Sequence, residues 1–420
     1  MPIESWLERA AALRGDHPAL EVPGATVTYA ELLARARTVA AALEAAGVER
    51  GDRVALALPA GVAFVETLHG CLLLGAAAMP VDLRLAEAER AALLERAAVV
   101  VDRPLGGSLE GSPAAVVEDD DVALVVHTSG TTGAPRPVEL SFGNVQANAL
   151  GSAVALGLDR AERWLCPLPL SHVGGLMVVL RSAVYGTTAV LAGLERLHDA
   201  TLASLVPTQL ARVLDRGAPP GPRLRTILLG GAPAGPALLA RAAAAGWPVT
   251  PTYGLTQACS QVTVGEPGDL ETAGRALPGV RVTLATDGEI LVEGPTVAGG
   301  GTLRTGDLGR LDDRGRLIVA GRKTDTIVTG GENVAPAEVE AVLLAHPAVV
   351  DAGVFGRVDA EWGEAVTGRV VLRDGATATE AELRTWARER LAAFKVPKAI
   401  ELAEALPRTG SGKLLRRELA

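Results

Sequence analysis

The stretch RTILLGGAPAGPALLARAAAAGWPVTPTYG, residues 225–254, decides the fold class. An apolar β-rich run ends in a glycine pair, a helical pattern follows, and a second β-rich run closes the unit. Strands joined through a helix pair in parallel, because a parallel partner needs a crossover rather than a tight turn. The same alternation extends outward. DVALVVHTSG (121–130) reads as a buried strand entering a Gly/Thr loop, and Ser141 is placed to cap a helix through Ala155. RWLCPLPL (163–170), TTAVLAG (187–193) and ASLVPT (203–208) are further strand candidates. From Gly279 to Gly321 strands alternate with Asp/Gly turns, as in GRLDDRGRLIVAG (309–321), so hairpins replace crossovers. After Arg322 come a helix from about Pro336 to Leu344, the strands VVDAGVFGR (349–357) and AVTGRVVLR (365–373), and a helix opened by the capping box Thr379-x-x-Glu382. The expectation is an α/β protein. A large N-terminal domain (1–321) of βα-layered sheets carries a small β region. A small mobile α+β domain (322–420) follows a linker at Gly321 to Thr326.

Composition narrows the function. The 420 residues are 48% hydrophobic and 21% charged but only 3% aromatic, which fits a globular chain and disfavours base-stacking surfaces. A net charge of −9 has the wrong sign for coating nucleic-acid phosphates, so an anionic ligand needs a local positive pocket. Three scattered cysteines, Cys71, Cys166 and Cys259, suggest neither a disulfide framework nor a zinc site, and a reducing cytoplasm suits them. No basic-then-apolar leader opens the sequence, and no apolar run approaches the ~20 residues of a spanning helix, so membrane insertion is not expected. All four lysines lie after residue 320, against 36 arginines; arginine-biased codon usage accounts for the ratio.

Four segments bear chemistry. In HTSGTTGAPR (127–136) glycines let backbone N–H groups converge and hydroxyls add donors, which makes a phosphate cradle, although any Ser/Thr/Gly loop looks similar. It is not a Walker A loop, since alanine follows Gly133. TYGLTQ (252–257) puts an aromatic face, a hydroxyl and an amide at a strand end, where open α/β sheets bind ligands. Arg304-Thr-Gly-Asp307, followed by Gly321-Arg322, offers a carboxylate for a ribose diol and an arginine for phosphates, or merely a hairpin turn and a surface ion pair. PRTGSGK (407–413) ends in a lysine that is either functional or simply solvated.

In this order the segments resemble the adenylate-forming superfamily of acyl-CoA synthetases, adenylation domains and luciferases over essentially the whole chain. TSGTTGAPR, GGAPAG (230–235), TYGLTQ, RTGDLG (304–309), GRKTDTIVTGGENVAPAEVE (321–340) and PRTGSGKLLRREL (407–419) carry the resemblance. It implies ATP, Mg²⁺ and coenzyme A as reactants: a carboxylate attacks the ATP α-phosphate, and a thiol then displaces AMP. It also implies roles. Thr128, Ser129, Gly130, Thr131, Thr132 and Gly133 would hold phosphates, with Gly231, Ala232 and Pro233 beside adenine. Thr252, Tyr253 and Gly254 would form the adenine-stacking motif, with Thr256 catalytic. Asp307 and Arg322 would meet the ribose and phosphates, Gly330 and Gly331 would line a pantetheine tunnel, and Lys413 would act in adenylation before the C-terminal domain rotates it away. Where the family has a magnesium-binding glutamate this chain has Gln257, with Thr132 as a second ligand; Arg136 and Thr324 replace other common residues, and only VAGGGTL (297–303) stands where relatives are longer.

The acid is a small carboxylic acid. The run PLSHVGGLMVVLRSAVYG (169–186) lacks the aspartate that amino-acid adenylation domains use, and with SLVPTQLARVLD (204–215) it is most similar to the o-succinylbenzoyl-CoA synthetase family of menaquinone biosynthesis. Other aryl- or fatty-acyl-CoA ligases, and a nucleotide-binding relative with reduced turnover, stay open, as does a homodimer. The resemblance puts His172 near the acyl carbonyl or thiol entrance, with packing as its other reading, and Ser204 with the acid. On a helix from Val173 to Val184, residues 174, 178 and 181 share a face, so Arg181 is expected beside a slot at Gly174 and suits a second carboxylate; a surface arginine or a structural salt bridge is the alternative.

Lys413→Ala is expected to bind ATP yet lose adenylation by ~10²-fold or more, the size of one preorganised charge removed from a transition state. Thioester formation from supplied acyl-adenylate is spared; equal loss in both half-reactions contradicts the assignment.

Overall fold

Strands Leu202–Leu205 and Thr226–Leu229 are buried at every position, so both of their faces must be covered. In the computed structural model, which describes residues 1–106, 115–128, 136–266, 268–408 and 414–419, they lie at the centre of a nine-stranded sheet. Its order is Arg275–Ala276, Ser260–Val264, Val249–Leu255, Thr226–Leu229, Leu202–Leu205, Arg163–Leu165, Thr188–Val190, Pro18–Val22 and Ala25–Thr28. Pairs from Val249–Leu255 through Pro18–Val22 are parallel, and both ends are finished by antiparallel strands. The crossover helix Pro236–Ala244 begins with proline at its first turn, where a missing N–H costs nothing.

A second sheet orders Val99–Val101, Arg53–Leu56, Ala77–Pro80, Val122–Thr128 and Arg136–Ser141, parallel except for the last pair. Ser141 caps Phe142–Leu156, its hydroxyl accepting from the Asn144 N–H at 3.1 Å. The Asp/Gly-rich region forms an antiparallel meander of Arg281–Leu284, Glu289–Glu293, Thr302–Leu311 and Leu317–Arg322. Gly299, Gly300 and Gly301, at φ of +69°, +72° and +73°, lead into its third strand in a conformation that side chains resist, which explains how so short a connection suffices. A last sheet joins Ile327–Thr329, Glu332–Val334, Val349–Asp359, Gly363–Leu372 and Ala399–Leu402, with Pro336–Leu344 and Glu380–Arg388 as helices and both capping-box bonds of Thr379 and Glu382 in place. Among the described residues no helix is long and apolar enough to cross a membrane.

Two expectations shift. RWLCPLPL forms a strand only over Arg163–Leu165, because Pro167 and Pro169 cannot donate to a ladder. Gly321 and Arg322 extend the last meander strand by pairing with Leu308 and Asp307, so the change of sheet falls in the turn Lys323–Asp325 and at Thr326.

Helix Val62–Leu74 buries His69 to 2% exposure, and burial pushes its pKa down to about 4. The unfolded chain therefore takes up the proton first, and stability present above about pH 6.5 is lost as pH falls towards 4. His69→Leu is expected to flatten the pH dependence of the denaturation midpoint over that window, by up to ~3 kcal/mol at 1.36 kcal/mol per pKa unit. Identical slopes in the two proteins would contradict this.

Candidate active site

A hairpin and a distant strand of the central sheet meet at Asp307. Asp307 and Arg322 face each other across the antiparallel pair that closes the meander, with Arg322 Nε 3.2 Å from Asp307 Oδ1. Tyr253, near the end of the central-sheet strand Val249–Leu255, donates its hydroxyl to Asp307 Oδ2 at 2.8 Å. Burial and the Asp307 charge raise the tyrosine pKa, so the hydroxyl stays a donor. The Asp307 N–H donates to Thr305 Oγ1 at 3.1 Å and the Gly306 N–H to Glu289 Oε1 at 3.1 Å, which fixes the turn beneath the carboxylate. Gly254 is obligatory, since a Cβ there would lie 1.7 Å from the Ser260 carbonyl oxygen. Gly230 lies against Thr252, which in turn donates to the Thr263 carbonyl at 2.7 Å. Gly231, at φ +78°, then leads into Ala232 and Pro233 beside that strand end.

A second cluster surrounds Arg181 on helix Val173–Tyr185. It is 2% exposed. Its Nη2 donates to Asn148 Oδ1 at 2.5 Å, and its guanidinium carbon lies 5.5 Å from the Trp164 ring centroid. The Trp164 indole N–H donates to Ser204 Oγ at 2.9 Å, and Asn148 Nδ2 to the Gln261 carbonyl at 2.9 Å. Among the described residues no carboxylate lies within ion-pair distance of Arg181, and its Nε has no partner. Burial lowers its pKa. It is therefore neither a surface arginine nor half of a salt bridge among those residues. The slot at Gly174 is lined instead by Leu168, 3.4 Å from where a Cβ would sit; the space-limited glycine is Gly175, whose Cβ would lie 2.4 Å from the Pro169 oxygen.

His172 is the N-cap of the same helix, with Nε2 3.9 Å from Asp82 Oδ2. Arg84 grips Asp82 at 2.8 and 2.6 Å and holds its carboxyl down at about 2, while burial lowers the His172 pKa. Thr256 and Gln257 occupy a short turn before Cys259 and Ser260, two consecutive side-chain-bearing residues at positive φ, +54° and +93°. The Gln257 carbonyl accepts from the Ala298 N–H at 2.8 Å. Among the described residues no group of three or more His, Cys, Asp or Glu could hold a metal ion. Gly330 (φ +58°) and Gly331 (φ +86°) form the turn between Ile327–Thr329 and Glu332–Val334, Gly330 against the Trp362 ring, over which Lys398 Nζ sits at 4.2 Å. Thr128 ends its strand, with its hydroxyl 3.4 Å from the Arg136 carbonyl. Ser129, Gly130, Thr131, Thr132, Gly133 and Lys413 lie outside the described residues.

Asn148, Trp164, Asp82 and Arg84 went unnoticed in the sequence. One signal was there: Asn148 falls on the buried face of its helix with Phe142, Val145, Ala149 and Ser152, and a buried amide at a core position needs a polar partner.

Known proteins match the chain over almost its whole length. The AMP-binding enzyme family matches residues 7–102 and 100–300, and the AMP-binding enzyme C-terminal domain matches 338–413. The 2-succinylbenzoate–CoA ligase of Bacillus subtilis is 36% identical, with 99% of this chain and 97% of that protein covered; the Geobacillus kaustophilus ligase is also 36% identical at the same coverage. The solved o-succinylbenzoate CoA synthetase of Bacillus subtilis in complex with its acyl-adenylate intermediate superposes with a TM-score of 0.93 at 35% identity, covering 100% of this chain and 98% of that one. A double variant of the same synthetase bound to a product analogue gives 0.73 over the same coverage.

Proposed function

The chain belongs to the AMP-binding enzyme family, and from that premise we propose that it is an ATP-dependent acid–thiol ligase that converts o-succinylbenzoate to o-succinylbenzoyl-CoA. A substrate carboxylate attacks the ATP α-phosphorus, the α–β bridging bond breaks, and pyrophosphate leaves with the electron pair. The CoA thiol, giving up its proton, then attacks the acyl carbonyl and AMP departs.

The observation that carries the acid assignment is Arg181, buried without a carboxylate among the described residues. Taking a guanidinium out of water costs several kcal/mol unless a counter-charge is supplied, and its planar fork suits a carboxylate. o-Succinylbenzoate has two carboxylates. One is adenylated and the other is left to pair with Arg181. Ser204 serves the same pocket through Trp164, which it holds under the guanidinium. His172, kept neutral by burial, is suited to line the acyl carbonyl without adding charge.

Asp307 is proposed to accept from the ribose hydroxyls and Tyr253 to stack on adenine, with Gly231, Ala232 and Pro233 at its edge, Thr252 and Gly254 shaping that strand end, and Arg322 turning from Asp307 towards phosphate. Ser129, Gly130, Thr131, Thr132 and Gly133 would continue the phosphate site from Thr128, with Thr256 and Lys413 acting in adenylation. Gln257 and Thr132 would hold Mg²⁺, which when bound neutralises phosphate charge. Gln257 brings no charge of its own. Domains 1–321 and 322–420 are proposed as body and lid, with Gly330 and Gly331 guiding pantetheine. The higher superposition score with the acyl-adenylate complex than with the product-analogue complex supports a lid that changes place between half-reactions. The three cysteines are buried and free, which suits a reducing cytoplasm.

The test is CoA-thioester formation with o-succinylbenzoate and with benzoate. Arg181→Ala is expected to lose about tenfold or more with the dicarboxylate, the size of a charge-assisted contact, and to change little with benzoate. Equal loss on both acids, or wild-type preference for benzoate, would contradict the proposal.

A further inference from the structure

We propose that the Tyr253 hydroxyl is a positioning group for Asp307, and that through this bond it sets how strongly the site selects nucleotides with an intact ribose diol. The inference rests on the nucleotide reading above. An aspartate on a strand can rotate its carboxylate about the last torsion, and a diol reads the carboxylate well only if both oxygens stay in one plane. Here a hydrogen bond and an ion pair from separate segments fix that plane. Tyr253 Oη holds Oδ2 at 2.8 Å and Arg322 Nε faces Oδ1 at 3.2 Å, while the Asp307 main chain is pinned through Thr305 Oγ1, which itself donates to the Ile290 carbonyl at 2.8 Å.

The two partners are not equivalent. Arg322 is nearly half exposed on a long side chain, at the end of the strand where the sheet changes. Tyr253 is half-buried on the adjoining sheet, and its position is fixed by Gly254, which admits no Cβ. When Arg322 swings to another partner, Tyr253 still holds the carboxylate. Stacking on a base needs only the aromatic ring, so phenylalanine would serve that purpose equally. The hydroxyl makes a separable contribution: it sets the orientation of the acceptor.

Tyr253→Phe keeps the ring and removes the bond. In steady-state pyrophosphate release with saturating acid, KM for ATP is expected to rise about tenfold, the size of one charge-assisted hydrogen bond, while kcat changes less than about threefold. KM for 2′-deoxy- and 3′-deoxy-ATP stays near the wild-type value, so the ATP preference collapses. Calorimetric binding of a non-hydrolysable ATP analogue should weaken by the same factor. Asp307→Asn gives a second reading. In its background, Tyr253→Phe should cost nothing further, which keeps the test decisive if the single variant is less stable. Equal losses on ATP and both deoxynucleotides, or additive losses in the double variant, would overturn the inference. A wild type that binds no nucleotide would overturn the activity reading as well.

Discussion

A guanidinium withdrawn from water must be compensated, and Arg181 is the place where this chain leaves the compensation incomplete. One bond to Asn148 and the face of Trp164 offset part of the cost. Those supports have supports of their own. Ser204 holds the indole, and the Gln261 carbonyl holds the other end of the Asn148 amide, so helix Phe142–Leu156, helix Val173–Tyr185 and the central sheet all contribute to one charge. A merely structural arginine so deeply buried would be expected to face a carboxylate. Among the described residues no carboxylate faces Arg181.

The second organising group is a carboxylate. Asp307 joins the meander to the central sheet through Tyr253 and faces Arg322 on the neighbouring strand of its own sheet, just before the chain passes to the last sheet. Both clusters lie where the topology favours them. Parallel strands end on one side of their sheet, and Gly230 and Gly231 follow one such end while Tyr253 stands near the end of the neighbouring strand.

Much of this was legible in the sequence. The βα alternation, the change to hairpins after Gly279 and the capping boxes each follow from local chemistry that tertiary contacts did not override. Helix Pro336–Leu344 appears with the expected bounds. The meeting of Tyr253, Asp307 and Arg322 was foreshadowed by motif order, although Asp307 stands inside its strand opposite Arg322. What escaped notice depends on contacts across the fold. Asn148 gives no local sign of touching Arg181, 33 positions away. Asp82 and Arg84 look like an ordinary surface pair until His172 arrives beside them. The strand of RWLCPLPL was overextended because its prolines interrupt a hydrophobic pattern without changing it. The left-handed backbone at Cys259 and Ser260 has no composition signal at all.

The central claim is that the Arg181 charge awaits an anion and does not stabilise the empty fold. Thermal unfolding of the wild type and Arg181→Met, with and without o-succinylbenzoate, tests it most directly. Methionine fills the volume without a charge to desolvate, so the variant should melt at or above the wild-type temperature while losing the shift that the dicarboxylate confers on the wild type. A variant that melts well below the wild type and keeps the ligand-induced shift would contradict the account.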